Sequence, residues 1–216
     1  MASWMIHLRI ADKLLDKIPD LSPIEFIMGN MAPDSGVPNE DWSAFSPSTA
    51  VSHYRRDDGK GKKIIDAYRF VEDFFTPEHQ RTYDEKQYSF YLGYYTHLLT
   101  DVLWSELVAW PVRQKFPEAT WEEIKEDWYA QDFLYLKKHP GFRAIRAYLG
   151  SVGFVNRYLD FFAPDAFDDR RAYITSFYLQ EQERPDRDYR YLTEEEANSF
   201  VEQAVSSILQ EVLHPV

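Results

Sequence analysis

The segment from Asp84 to Trp110 carries the strongest helical pattern in the chain. Phe90, Gly93, Tyr94, His97, Asp101, Trp104 and Val108 recur three or four residues apart, which puts them on one face of a helix. Asp84 opens the segment and Pro111 is expected to stop it. Ser3 is expected to cap an earlier helix with Ile10, Ala11, Leu14, Leu15 and Ile18 inward, ended by Pro19. Ser22-Pro23-Ile24-Glu25 has the form of a capping box with proline at the first helical position, opening a short helix to about Met28. The spacing predicts a helix over 62–75 with Ile64, Ile65, Tyr68, Val71 and Phe75 inward, and others over 121–138, 141–148, 154–161 and 170–180. Thr193 with Glu196 is a second capping box, opening a last helix to about Leu213. Residues 29–51, rich in Gly, Pro, Asn, Asp and Ser, and 182–191 read as loops. No segment shows sustained strand alternation. The expected fold is all-α: a single-domain, multi-helix bundle over residues 1–216, with its functional site between helices.

Charge and cysteine content narrow the chemistry. A net charge of −12 repels nucleic-acid phosphates and anionic head groups, so no stable nucleic-acid partner is expected. With no cysteine there is no disulfide, thiolate site or cysteine nucleophile. Any metal must sit on imidazoles and carboxylates, which suits zinc, iron, manganese or nickel. Residues 1–9 lack a secretory apolar core, and no stretch is long enough to span a bilayer, so the expected location is the cytoplasm without membrane insertion.

His97 and Asp101 are four residues apart, about 400° of helical rotation, and so stand one turn apart on the face expected to be buried. A buried carboxylate needs a partner or a cation. Gly93, one turn earlier, leaves space that a larger side chain would fill. His7 precedes Ile10, Ala11, Leu14 and Leu15 at helical spacing and falls on the apolar face of the first helix. The loop around Pro33 adds Asp34, and a Ser/Thr/Pro loop adds His53. Singly, each fits a plainer role: a core His–Asp pair, a core histidine, an Asx turn and an exposed loop histidine.

Taken in order, four segments resemble the zinc-dependent phospholipase C family, whose fold is related to the S1/P1-type nucleases. They are SWMIHLRIA at Ser3 to Ala11, FIMGNMAPD at Phe26 to Asp34, SHY at Ser52 to Tyr54 and LGYYTHLLTD at Leu92 to Asp101. The resemblance covers roughly the first half of the chain. It implies an all-α fold in which His53, His97, Asp101 and Asp34 hold one metal, while His7 and Asp101 hold a neighbour, Asp101 bridging. It implies divalent ions, zinc first with iron, manganese or nickel as alternatives, and two per chain. It also implies attack on phosphorus by a metal-activated water that Asp34 orients or deprotonates.

The chain departs from the family's lipases. Trp4 is not a terminal tryptophan, no histidine follows Asp101 closely, and His139 is followed at the fourth place by Arg143 rather than Glu. Glu106 and Asp132 are the carboxylates nearest the missing pattern, though a solvated helix face accounts for both. The basic run Arg55, Arg56, Lys60, Lys62 and Lys63 has two readings, a guide for a phosphate toward the metals and a solvated loop, and the offsetting Asp57 and Asp58 favour the loop. The expected function is hydrolysis of a small soluble phosphodiester or phosphomonoester. The alternative is a non-catalytic helical domain that binds metal for stability or sensing. No histidine precedes an aspartate directly, and the motifs of zincins, P-loop enzymes and serine hydrolases are absent. Oligomeric state is not encoded in any motif.

Overall fold

The computed structural model describes residues 1–41, 43–59, 63–179 and 188–213. The architecture is all-α, a multi-helix bundle with the histidine–aspartate cluster between helices. Helix α1 (Trp4–Leu14) buries every residue from Met5 to Ala11, so it is a central helix with no solvated face in that stretch. Its Ser3 sits at the N-cap but makes no capping hydrogen bond, because its hydroxyl donates to Asp132 instead. Helix α2 (Pro23–Met31) outlasts its predicted end and runs into a 3-10 turn, Ala32–Ser35. The Ser22 hydroxyl donates to the Glu25 carboxylate at 2.5 Å rather than capping the backbone.

The predicted loop over 29–51 is therefore corrected. After the 3-10 turn, β1 (Val37–Pro38) pairs antiparallel with β2 (Phe45–Ser46), and α3 (Thr49–Ser52) follows. The predicted helix over 62–75 is also two things. Lys63–Ile65 is strand β4, antiparallel to β3 (Arg55–Asp57), with Ile65 opposite Arg55. Asp66 then accepts from the Arg69 amide and starts α4 (Ala67–Phe74). Restarting the helix there turns Tyr68 outward, 63% exposed, and Phe70 inward. Lys60 and Lys62 lie outside the described residues.

Short helix α5 (Pro77–Gln80) leads to the long α6 (Glu85–Trp104), opened by Asp84 and Gln87 in a reciprocal capping box. Pro111 does not stop it. A π-helical stretch, Ser105–Ala109, carries the chain into α7 (Trp110–Lys115), where Pro111 occupies the first turn and needs no amide partner. Helix α8 (Trp121–Lys138) begins at its own capping box, Thr120 with Glu123.

Helix α9 (Arg143–Gly150) is capped from another element: the Asp12 carboxylate of α1 accepts from the Ala144 amide at 2.9 Å. The predicted helix over 154–161 is absent. Asn156 organises that stretch as a turn, accepting from the Tyr158 and Leu159 amides and donating to the Leu159 and Phe162 carbonyls. Helix α10 (Ala166–Tyr178) starts earlier than predicted, and Gln180 lies outside the described residues, as do 182–187 of the predicted last loop. Buried Asp127 accepts from the amides of Arg190 and Tyr191, holding the approach to α11 (Glu194–Leu213).

Two packings position the centre of the molecule. Helices α2 and α6 cross at Gly29 and Gly93: a β-carbon on Gly29 would stand 2.0 Å from the Phe90 carbonyl oxygen, and one on Gly93 2.1 Å from that of Phe26. The space read into Gly93 is thus filled by backbone of α2. At the far end of α6, the fully buried Trp104 meets Trp128 of α8 and Phe200 of α11 edge to face, centroids 5.0 and 4.9 Å apart. Among the described residues, no helix is long and apolar enough to cross a membrane.

Candidate metal centre

Five side chains from four elements converge. His7 comes from α1, Asp34 from the 3-10 turn, His53 from the end of α3, and His97 and Asp101 from α6. The histidines and Asp101 are buried, with His53 at 1% exposure rather than out in a loop. His53 Nε2 lies 3.2 Å from Asp34 Oδ1, 3.3 Å from His97 Nε2 and 3.7 Å from Asp101 Oδ2. His97 Nε2 is 3.7 Å from Asp101 Oδ2, and His7 Nε2 is 3.5 Å from Asp101 Oδ1. The rings of His7 and His97 stack with centroids 3.8 Å apart and planes 3° from parallel.

Neighbouring backbone and side chains set the orientations. His97 Nδ1 is 2.7 Å from the Asn30 carbonyl, which only accepts, so Nδ1 carries the hydrogen and Nε2 presents its lone pair to the cluster. Asn30 is held in turn by its Nδ2, which donates to Thr96 Oγ1 at 3.0 Å. His53 Nδ1 contacts Ser52 Oγ at 2.9 Å, and the Ser52 carbonyl accepts from the Tyr94 hydroxyl of α6. Tyr54, at φ 51°, turns the chain sharply away after His53, a backbone geometry that bulky residues rarely take. The Ala2 amide donates to Asp101 Oδ1 at 2.7 Å. These supporting contacts had no signature in the sequence.

Electrostatics follow the geometry. Burial lowers the pKa of His97, and the neighbouring His7 adds to this, to about 3, so its ring is neutral. Burial alone would raise the Asp34 carboxyl. The His53 contact and the surrounding imidazoles outweigh it and hold the pKa down to about 2. Asp101 shows the same contest: burial pushes it up, and the Met1 ammonium with His7 and His97 brings it well below the usual carboxylate range.

The donor set fits a divalent ion. His7 Nδ1 and Nε2 and Asp101 Oδ2 are buried with no hydrogen-bond partner, a costly state unless something else satisfies them. His7, His97 and Asp101 form one group and Asp34, His53 and His97 another, each with its ligand atoms within 4.8 Å of one another. Ligands about 2.0–2.1 Å from a tetrahedral zinc stand roughly 3.3 Å apart, close to the 3.2–3.7 Å separations here. The two oxygens of Asp101 face different histidines. His97 touches both groups, whereas the resemblance assigned it to one.

Asp132 is corrected. It is 2% exposed, and its carboxylate accepts from Ser3 Oγ at 2.6 Å and Tyr178 OH at 2.8 Å. Its place four and eight residues after Trp128 and Ile124 would have marked it as inward. Glu106 is exposed, as expected. Burial raises the Asp132 carboxyl to about 7 despite both hydroxyls and Arg9. The folded state therefore binds this proton more tightly than the unfolded chain, whose aspartates titrate near 3.9. The group costs stability as pH rises from about 4 through 7. Melting temperature measured with chelator at pH 5, 6, 7 and 8 should fall less for Asp132→Asn than for the parent, by roughly 5 °C at pH 8. Parallel curves would contradict this.

An all-α fold with a buried imidazole–carboxylate cluster defines a candidate metalloprotein. The family model described as zinc dependent phospholipase C matches residues 6–104, bearing out the resemblance read from the sequence. All of His7, Asp34, His53, His97 and Asp101 lie inside the matched stretch. No curated protein and no solved structure matches the chain.

Proposed function

We propose that the protein hydrolyses a small phosphoric ester, a phosphomonoester or phosphodiester, using two divalent ions, zinc first, held by His7, Asp34, His53, His97 and Asp101. The observation that carries this is the tetrahedral-like spacing of buried donor atoms, one side of which opens to a cleft. Asp34 and His53 line that cleft, a cavity of about 750 Å³. A closed cage would favour a structural ion, whereas an edge open to solvent supports catalysis. Ions held there supply Lewis acidity, drawing charge from a phosphoryl oxygen and making water acidic. His97 presents a fixed lone pair because Asn30 holds its other nitrogen. Asp101 spans both groups of ligands. Asp34, ionised and facing the cleft, orients the attacking water or takes its proton.

Asp34→Asn tests the assignment. Metal-loaded variant should lose roughly 10²–10⁴-fold in kcat/KM on p-nitrophenyl phosphate or bis-p-nitrophenyl phosphate while its circular dichroism is unchanged. If the parent turns over no phosphoric ester yet melts lower on chelation, the site is structural and the hydrolase reading is wrong.

A further inference from the structure

We infer that the cleft selects phosphomonoester dianions with an aromatic or alkyl alcohol part, and rejects esters bearing a quaternary ammonium group. This deepens the hydrolase reading above and rests on it. The chain as a whole carries −12, yet the cleft wall reverses that sign. Arg55, Lys125 and Arg170 line it, and Asp34 is the one carboxylate among its described lining residues. Asp34 is already engaged by His53 at 3.2 Å.

The cations are placed by the elements that build the site. Arg55 opens β3 two residues after His53. Lys125 lies between Trp121 and Tyr129 at four-residue spacing, so all three face the cleft from one stripe of α8. Neither Arg55 nor Lys125 forms an ion pair with a described residue. Arg170, 6% exposed, donates to the Gly36 carbonyl and so ties α10 to the turn that carries Asp34. Positive charge inside low-dielectric walls focuses a field that favours a second negative charge on the substrate.

Aromatic walls raise the opposite idea, since ring faces attract quaternary ammonium groups. Here two of the rings, Tyr173 and Trp121, already carry the protein's own cations. The Arg170 guanidinium stands 5.4 Å over Tyr173, and Arg113 stands 5.7 Å from the Trp121 centroid. Trp4 is locked edge to face against Tyr173 and Phe177. A trimethylammonium group would meet like charge, and the one lining carboxylate, Asp34, is already engaged by His53. The remaining apolar wall, Trp4, Phe45, Trp128 and Phe177, suits an uncharged ring or chain on the alcohol side.

The test uses the metal-loaded protein and three chromogenic esters: p-nitrophenyl phosphate, bis-p-nitrophenyl phosphate and p-nitrophenylphosphorylcholine. Arg55→Glu/Lys125→Glu, which leaves the cluster intact, should lower the monoester-to-choline-ester ratio of kcat/KM about tenfold. The parent's ratio should fall with added salt, and the variant's should not. Calorimetric binding of phenyl phosphate and phosphorylcholine gives a readout independent of turnover. Phosphorylcholine binding as tightly as phenyl phosphate, or a variant with the parent's ratio and salt slope, overturns the charge selection and leaves the hydrolase intact. Should no ester be turned over, the hydrolase reading fails. The calorimetric order then decides the charge preference alone: phenyl phosphate first upholds it, phosphorylcholine level or first overturns it.

Discussion

Asp101→Asn is expected to empty the centre of metal and cut kcat/KM on any phosphoric ester by about three orders of magnitude, near 4 kcal/mol of transition-state stabilisation. The substitution keeps shape and size, so it isolates charge. Asp101 is the residue that all three histidines lean on: Oδ1 takes the Ala2 amide at 2.7 Å and faces His7, and Oδ2 faces both His53 and His97. An amide offers one weakly basic oxygen and a nitrogen that cannot coordinate in its neutral form. One of the two faces would then present N–H groups to an imidazole lone pair. Elemental analysis of metal per chain, alongside turnover, checks the result. Full metal content with full activity would show that Asp101 is a core residue and nothing more.

Gly93→Ala should rank with Gly29→Ala as the most damaging methyl groups that could be added at the α2–α6 crossing. Its β-carbon would arrive 2.1 Å from the Phe26 oxygen and 2.8 Å from the Asn30 nitrogen, both backbone atoms that no rotamer change can move. Helices α2 and α6 would have to separate by more than an ångström along their tightest crossing, at a cost of about 3 kcal/mol or more. For a chain of this length that is roughly 6–12 °C in melting temperature. The same separation would stretch the 2.7 Å contact between the Asn30 carbonyl and His97 Nδ1, so metal affinity should fall with stability. Thermal melts of the variant, with and without zinc, decide it. A melting point within a degree or two of the parent would mean that the crossing is softer than its spacing implies.

Periodicity alone carried the all-α class and put three of the five candidate ligands on buried helix faces, and the resemblance supplied their role as ligands. His97 and Asp101 are one turn apart on a helix that is buried along most of its length, and His7 keeps the phase of the apolar face of α1. Asp34 and His53 had no such frame. Their approach depends on a 3-10 turn and a four-residue helix, elements too short for any period to show. They came from resemblance instead. Three of the errors in the fold arose where a side chain found a partner far along the chain or organised the backbone beside it. The Ser3 hydroxyl left its helix end for Asp132, 129 residues away. Asn156 gathered four backbone groups and forbade a helix that Phe154, Tyr158 and Phe161 would have suited. Asp66 started a helix that the apolar pattern had begun five residues early.

The wide turn at Ser105–Ala109 has a consequence for how the cleft came by its depth. A π turn accommodates one residue more than an α turn, so the side chains of α7 are shifted by about 100° about the helix axis from where an unbroken α-helix would put them. Two small side chains of the π turn, Ser105 and Ala109, line the cleft. The width of the chamber beside the ligands is therefore written in helical register. A single inserted or lost residue at that point, rather than any rebuilding of loops, is the shortest evolutionary route to admitting a different ester.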